Sequence, residues 1–489
     1  MNLKSDAAIN SAALAISSGL NFFSIFLWTR LLDPHEFGIY AIVLAAGLFL
    51  NALAFEWLRL VGARTLYDST CESRINPARA SALFLLYAIA GTLLCAVLVA
   101  LHLADLGFGG IGARWWPLIA GLALTEMALA IINTVSRVRQ KAWQFFRSMV
   151  GRSVLSVALG MGLVIGLRLG AAGAILGVII AQSLVALGSV AIDPLWRTIR
   201  PWRAGREEMG RILRFGAPLV VSCALIYAAG VADRFLIAAQ LGTHEAGLYA
   251  APVDLLQKTL VFVMMAINLT AYPALVRAYE DHGAAAASAI LERNFLVQLG
   301  LGLPAVVGLA ALAPGIANLL LGAPYRHDGA MLLPYVGMAA LLRCLITFHL
   351  MIAFQVTGRM KLMLVPPAVM LVVIVPAAIF AMREWGLAGM ALAAVAAQVA
   401  AYGVSSLLAR RVMNVRILST DTIKIVASAA AMGLVLLPLR QDDGPLATVL
   451  LIAGGGVVYL LAMIVLRVSP VISALRATPL RRFLPASKK

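Results

Sequence analysis

Residues 32–41 read LDPHEFGIYA, and residues 241–250 read LGTHEAGLYA. At a spacing of 209 they share Leu32/Leu241, His35/His244, Glu36/Glu245, Gly38/Gly247, Tyr40/Tyr249 and Ala41/Ala250. The His-Glu step raises the question of a zinc site. A zinc-hydrolase helix needs a second His four residues after the first, and that position is Ile39 in one copy and Leu248 in the other. The pair is therefore read as part of a duplicated turn between long helices.

What surrounds the two copies is apolar. The 489 residues are 62% hydrophobic and 12% charged, against roughly 25% charged in a soluble domain. A water-soluble fold could not cover its apolar atoms with so few charges, so composition places the chain in a membrane. The net charge of +17 is spread in short bursts between apolar runs. Nucleic-acid binding needs charge gathered on one face, so it is not expected. Cys71, Cys95, Cys223 and Cys344 form no CxxC pair and are read as small packing residues. The first apolar run lacks a compact apolar core followed by a small-residue cleavage site, and is read as a retained helix.

A crossing needs about 20 apolar residues. Such runs fall near 8–31, 38–58, 80–102, 115–135, 149–167, 171–192, 215–241, 247–271, 293–313, 329–354, 361–382, 387–409, 422–439 and 446–466, which makes fourteen. Asp233 and Arg234 interrupt the seventh. With both termini cytoplasmic, alternate loops collect 30 of the 39 Lys and Arg residues, including Arg137, Arg139, Lys141, Arg147 and Arg152. The opposite side holds seven, and Lys258 and Arg343 lie within spans. That asymmetry sets the orientation, and an error of one span would scramble it. No long extramembrane segment and no G-x-x-x-x-G-K-[ST] loop is present, so no cofactor or ATP site is expected.

The duplication extends beyond ten residues. LGAAGAILGVIIAQ (169–182) pairs with WGLAGMALAAVAAQ (385–398), matching Gly170/Gly386, Ala172/Ala388, Gly173/Gly389 and Gln182/Gln398. The two matches lie at spans 1–2 and 7–8, and at spans 5–6 and 11–12. Spans 1–6 and 7–12 thus read as copies, and spans 13 and 14 as an addition. Because six is even, the copies share one orientation, a parallel repeat of the kind found in secondary transporters. The expected fold is an all-α polytopic membrane protein with 14 transmembrane helices. Its expected domains are 1–209 with a basic cytoplasmic linker, 210–411, and 412–489 with two added helices and a basic tail.

TRLLDPHEFGIYAIV (29–43) resembles the first loop of the polysaccharide-transporter family, whose usual pattern is T-R-x-L-G-x-x-x-[FY]-G-x-Y. ADRFLIAAQLGTHEAGLYAA (232–251) is similar to that family's seventh helix and following loop, and LAPGIANLLLGAPYRHDGAMLLPY (312–335) to its ninth-to-tenth connection. Asp33 departs from the family's Gly, whereas the second copy keeps Gly242. The resemblance covers nearly the whole chain. It implies a flippase of bacterial inner membranes, of the superfamily that includes multidrug exporters and lipid II flippases. The implied cargo is an undecaprenyl-pyrophosphate-linked oligosaccharide for O-antigen, exopolysaccharide or capsule. Membrane lipid and a polysaccharide polymerase or chain-length machinery are implied partners. A pyrophosphate headgroup cannot cross hydrocarbon unaided, because unpaired charge is costly there.

Ionisable residues inside spans are the candidate site. The cations Arg234, Lys258, Arg343, Arg30, Arg59 and Arg64 suit a pyrophosphate, and Arg234 and Lys258 lie where a cationic lumen is expected. Asp233, Asp254, Glu126 and Glu56 are candidates for coupling to H⁺ or Na⁺, since a carboxylate in low dielectric holds its proton more tightly. Asp254 and Lys258 are four apart and can pair on one helix face. The competing readings are a lipid II flippase, a multidrug or cation antiporter, and a membrane polymerase or glycosyltransferase. The last needs a substantial outer loop with catalytic groups, and the longest on that side is about a dozen residues.

Overall fold

The computed structural model describes residues 3–69, 71, 74–413, 415, 418–439 and 444–469. Arg416, Arg440 and the basic residues from Arg476 to Lys489 lie outside them. The described residues form sixteen α-helices joined by short turns, with no strand. Contacts divide the chain into two compact units, residues 1–250 and 251–489.

The first unit holds α1 (Leu3–Leu31), α2 (Pro34–Asn51), α3 (Trp57–Thr65), α4 (Pro77–Leu103), α5 (Trp116–Val138), α6 (Ala142–Met161), α7 (Gly170–Ile192) and α8 (Arg206–Gln240). It ends in the first turns of α9 (Thr243–Leu256). Helix starts follow from capping chemistry. Asp33 accepts from the Glu36 amide and Asn76 from the Ala78 and Arg79 amides, each followed by a proline whose missing N–H is no loss at that position. The core of this unit gathers Phe55, Leu58, Leu83, Tyr87, Ile131 and Leu195. Leu93, Leu187 and Val221 are more than 60% exposed on helix surfaces, as lipid-facing side chains are.

The duplicated stretch is helical, not a turn. His35 and Glu36 occupy the first turn of α2, and His244 and Glu245 the first turn of α9. The copies pack on each other reciprocally. A Cβ on Gly38 would collide with the Thr243 carbonyl, and a Cβ on Gly247 with the Pro34 carbonyl. Pro34 and Thr243 are themselves equivalent at the spacing of 209, so the contact maps onto itself. Small residues allow such close approach between helices in membranes. His35 Nδ1 lies 2.6 Å from Thr243 Oγ1, and Glu36 accepts from the Ala171 amide at 2.5 Å. The departure at Asp33 also has a physical reason. Asp33 is extended at φ −72° and caps its helix, whereas Gly242 has φ +97°, a conformation that favours glycine.

The second unit continues α9 and holds α10 (Phe262–Ala311), α11 (Ala313–Leu320), α12 (Arg326–Leu345), α13 (Met351–Val356), α14 (Val365–Val412), α15 (Thr420–Leu436) and α16 (Gly444–Val465). Its core includes Leu275, Leu291, Ile346, Phe354, Ala401 and Met413. Twelve stretches among the described residues are long and apolar enough to cross a membrane. Two of them, 243–311 and 360–412, are 69 and 53 residues long. Each is broken by one glycine: Gly283 at φ 78° and Gly386 at φ 52°. Gly170, the sequence partner of Gly386, has φ +53°.

Candidate functional site

Among the described residues, four short stretches carry a wide helical turn with i→i+5 bonding: Ala52–Glu56, Gly162–Gly166, Gln257–Val261 and Ile346–Leu350. Such bulges inside helices are rare and frequent at functional sites. Three of the four hold a titratable side chain, namely Glu56, Lys258 and His349.

In the first unit, Glu56 at the end of its wide turn is gripped by Arg59 one turn later. Arg59 Nε donates to Glu56 Oε2 at 2.7 Å, and Nη2 contacts Oε1. Both side chains are under a quarter exposed. A second ionic group ties three helices to one carboxylate. Glu126 on α5 accepts from Arg152 on α6 at 3.0–3.1 Å and from Gln182 on α7 at 2.7 Å. Thr125 donates to Gln182 Oε1 at 2.5 Å, which fixes that amide's orientation. Bonds to a charged group are the stronger ones in a low-dielectric interior.

Arg152 corrects the sequence reading. The sequence counts it with the cytoplasmic charges at the start of the span 149–167, but it lies ten residues into the helical stretch 142–166 and pairs with Glu126. Its polar neighbours in sequence, Arg147 to Ser153, mask the start of the span. Arg64 stacks on Phe215 with its guanidinium carbon 5.3 Å from the ring centre. Arg30 is exposed, lies over Phe26 of its own helix and donates to the Phe26 carbonyl at 2.9 Å. Arg234 is 8% exposed, and Asp233 Oδ1 accepts the Arg234 amide at 2.9 Å.

Outside the spans, Asp193 closes the α7 end. It is 4% exposed, with Arg139 Nη1 at 2.5 Å, Lys141 Nζ at 3.3 Å and the Leu195 amide at 3.2 Å. Burial opposes its charge, but the Leu195 amide and the two cations outweigh that and hold the carboxyl below its ordinary value.

In the second unit, Asp254 is half-buried on α9. Lys258 lies beyond Leu256, inside the wide turn, so the regular i, i+4 register expected between them does not run unbroken. Arg343 is half-buried in the last turn of α12. A polar cluster that the sequence did not flag lies near it. His349 is fully buried with its ring centre 4.7 Å from that of Phe295, and Asn294 and Gln298 both donate to the Phe348 carbonyl. The same unit holds an apolar groove of 710 Å³, lined by Leu260, Met264, Leu301, Met432, Ile452 and Leu460 among others. Tyr459 keeps this lining apolar by donating its hydroxyl to the Gly300 carbonyl at 2.7 Å.

The family profile described as "Polysaccharide biosynthesis protein" matches residues 27–328. The chain belongs to the polysaccharide biosynthesis protein family. That match begins near the end of α1 and runs through Arg30, Arg59, Arg64, Glu126, Arg152 and Arg234 of the first unit to the start of α12. Among solved structures, the lipid II flippase MurJ in its inward closed conformation is similar with a TM-score of 0.76 and 14% identity, over 94% of this chain and 99% of that one. An inward-facing multidrug resistance MATE family transporter of the MOP superfamily is similar with a TM-score of 0.59 and 18% identity, over 82% and 98%. Its outward-facing counterpart gives a TM-score of 0.54 at 18% identity, over 83% and 95%. At these identities the likeness is one of fold, and the fold of this family member is that of the MOP superfamily. Comparison with the curated proteins found no match.

Proposed function

We propose that the protein flips an undecaprenyl-pyrophosphate-linked oligosaccharide from the inner to the outer leaflet of a bacterial inner membrane, for surface polysaccharide assembly. The observation that carries this reading is the pairing of two features. Charges are partly buried in helices whose outer faces are apolar, and the second unit holds an apolar groove. Partly buried charge suits a polar headgroup in transit, and the groove suits an isoprenoid tail that never leaves apolar surroundings. A water-soluble drug has no use for the groove. A lipid II flippase shares the tail chemistry and stays as the second reading, supported by the likeness to MurJ. Membership of the polysaccharide biosynthesis family favours the oligosaccharide.

Divided at Gly283 and Gly386, the two longest stretches supply two spans each, and the chain then crosses the membrane fourteen times with both ends cytoplasmic. Spans 1–6 and 7–12 are copies, and domains 1–209, 210–411 and 412–489 follow from that. The matching left-handed glycines 170 and 386 support it. We assign the pyrophosphate to cations of each unit separately: Arg234, with Arg30, Arg59 and Arg64, in the first, and Lys258 and Arg343 in the second. Glu56, Glu126, Asp233 and Asp254 are assigned to coupling with H⁺ or Na⁺.

The test is deletion of the gene followed by leaflet-resolved analysis of lipid-linked sugars. The expected outcome is accumulation of the lipid-linked repeat unit on the cytoplasmic leaflet and loss of surface polymer. Accumulation of lipid II with normal surface polymer would establish the second reading, and an unchanged lipid-linked pool would refute both.

A further inference from the structure

A second pocket, of 500 Å³, opens where α6 begins and α7 ends, at the membrane-surface edge of the first unit. Its walls include Gln140, Lys141, Trp143, Arg147, Ser148 and Asp193. We propose that this pocket binds the phosphate headgroup of an anionic phospholipid whose acyl chains lie along α7. The proposal is independent of which cargo the protein moves.

Four observations carry it. At the start of α6 the Gln144 and Phe145 amides share the Lys141 carbonyl, while the Ala142 and Trp143 amides have no backbone or side-chain cap among the described residues and carry the positive end of the helix dipole. The local charge is positive: Arg139 and Lys141 are both spent on Asp193, the one carboxylate in the wall, while Arg147 is exposed and makes no ion pair among the described residues. Ser148, only 2% exposed, lines the pocket, and its Oγ has no hydrogen-bond partner among the described residues. A buried hydroxyl without a partner is uncommon, and a phosphate oxygen reaching the pocket would supply one. The pocket also opens onto a lipid-facing surface. Ile180, Leu184, Leu187 and Ile192 are 37–69% exposed along α7 and lead to its rim. Trp143, 62% exposed and edge-on to Phe146, stands on the rim as interfacial aromatics do. A soluble phosphate would make no use of that apolar approach, and this selects a lipid.

The experiment uses the full-length protein, delipidated and reconstituted in nanodiscs of phosphatidylcholine. Phosphatidylglycerol with brominated acyl chains is titrated in, and quenching of Trp143 is read as the difference between wild type and Trp143→Phe. Wild type is expected to show saturable quenching with phosphatidylglycerol and at least fivefold weaker quenching with brominated phosphatidylcholine. Arg147→Gln should weaken phosphatidylglycerol binding at least fivefold, Ser148→Ala about two- to threefold, and Arg147→Lys should restore part of the loss. Arg214→Gln, an exposed cation elsewhere in the unit, should change nothing. Equal binding of the two lipids, wild-type affinity in Arg147→Gln, or an equal loss in Arg214→Gln would each overturn the site. Displacement of phosphatidylglycerol by millimolar sodium phosphate would overturn the lipid as its occupant.

Discussion

Gly38→Ala puts the duplicated contact to the test. The added Cβ would collide with the Thr243 carbonyl oxygen and lie 2.8 Å from its carbon and 2.9 Å from the Gly247 nitrogen. All three are backbone atoms, so no side chain can swing aside and the helices themselves must separate. Overpacking a tight interior costs about 1–3 kcal/mol, and a backbone collision belongs at the upper end. Against this, alanine is favoured over glycine in a helix by about 1 kcal/mol. Gly19→Ala measures that gain alone, because a Cβ there meets nothing within 4 Å. Gly38→Ala should therefore lie about 2 kcal/mol below wild type and Gly19→Ala up to about 1 kcal/mol above it. The gap of about 3 kcal/mol is roughly a hundredfold in the unfolding equilibrium. Reversible unfolding by a denaturing detergent, followed by tryptophan fluorescence, reads both variants against wild type. Coincident midpoints for Gly38→Ala and Gly19→Ala would refute the close crossing of α2 and α9.

Glu126→Gln and Arg152→Gln should each lower stability by about 1–3 kcal/mol, and the double variant by less than their sum, because each single change strands a partly buried charge; an additive cycle would refute the pair. Arg234→Ala and Lys258→Ala should each abolish complementation of a flippase-deficient strain while the protein still inserts. Full surface polymer in both would remove these cations from the transport path. The lowered pKa of Asp193 stabilises the folded protein above its unfolded value of 3.8, and that contribution is lost as pH falls through the lower folded value. Asp193→Asn should thus cost stability at pH 7 and narrow its gap to wild type below about pH 4, as read by unfolding midpoints; a gap that widens on acidification would contradict the sign. Gly386→Ala should cost about 1–3 kcal/mol through backbone strain alone, since nothing stands within 4 Å of the added Cβ. Wild-type stability in that variant, by the same detergent titration, would show the break to be soft.

The legible parts of the fold are those with a one-dimensional signature. Apolar run length marks the spans, so the helical membrane architecture follows from composition and spacing. Gly38/Gly247 and Gly170/Gly386 repeat in sequence because each does something only glycine can do: close backbone approach in the first pair, a left-handed turn in the second. The wide turns carry no such mark. The stretches ALAFE and QKTLV read as ordinary helix, and their extra residue per turn becomes visible only in the backbone. For this reason the register between Asp254 and Lys258 was not readable from their spacing.

The charges divide along the same line. Glu56 and Arg59, read separately from the sequence as a coupling carboxylate and a substrate cation, are three apart and pair with each other in the structure. Glu126 and Arg152 are 26 residues apart on different helices, and nothing local joins them. The clue lay with Gln182. It recurs as Gln398 in the second copy, and both are buried, at 1% and 4%. A buried amide needs partners. In the first unit Gln182 finds Glu126 and Thr125, whereas Gln398 has Met370 Sδ at 3.4 Å as its recorded contact. The matched glutamines thus serve an ionic network in one unit and contact a thioether in the other. The first unit holds a half-buried ionic network, whereas the second holds an apolar groove walled in part by α15 and α16.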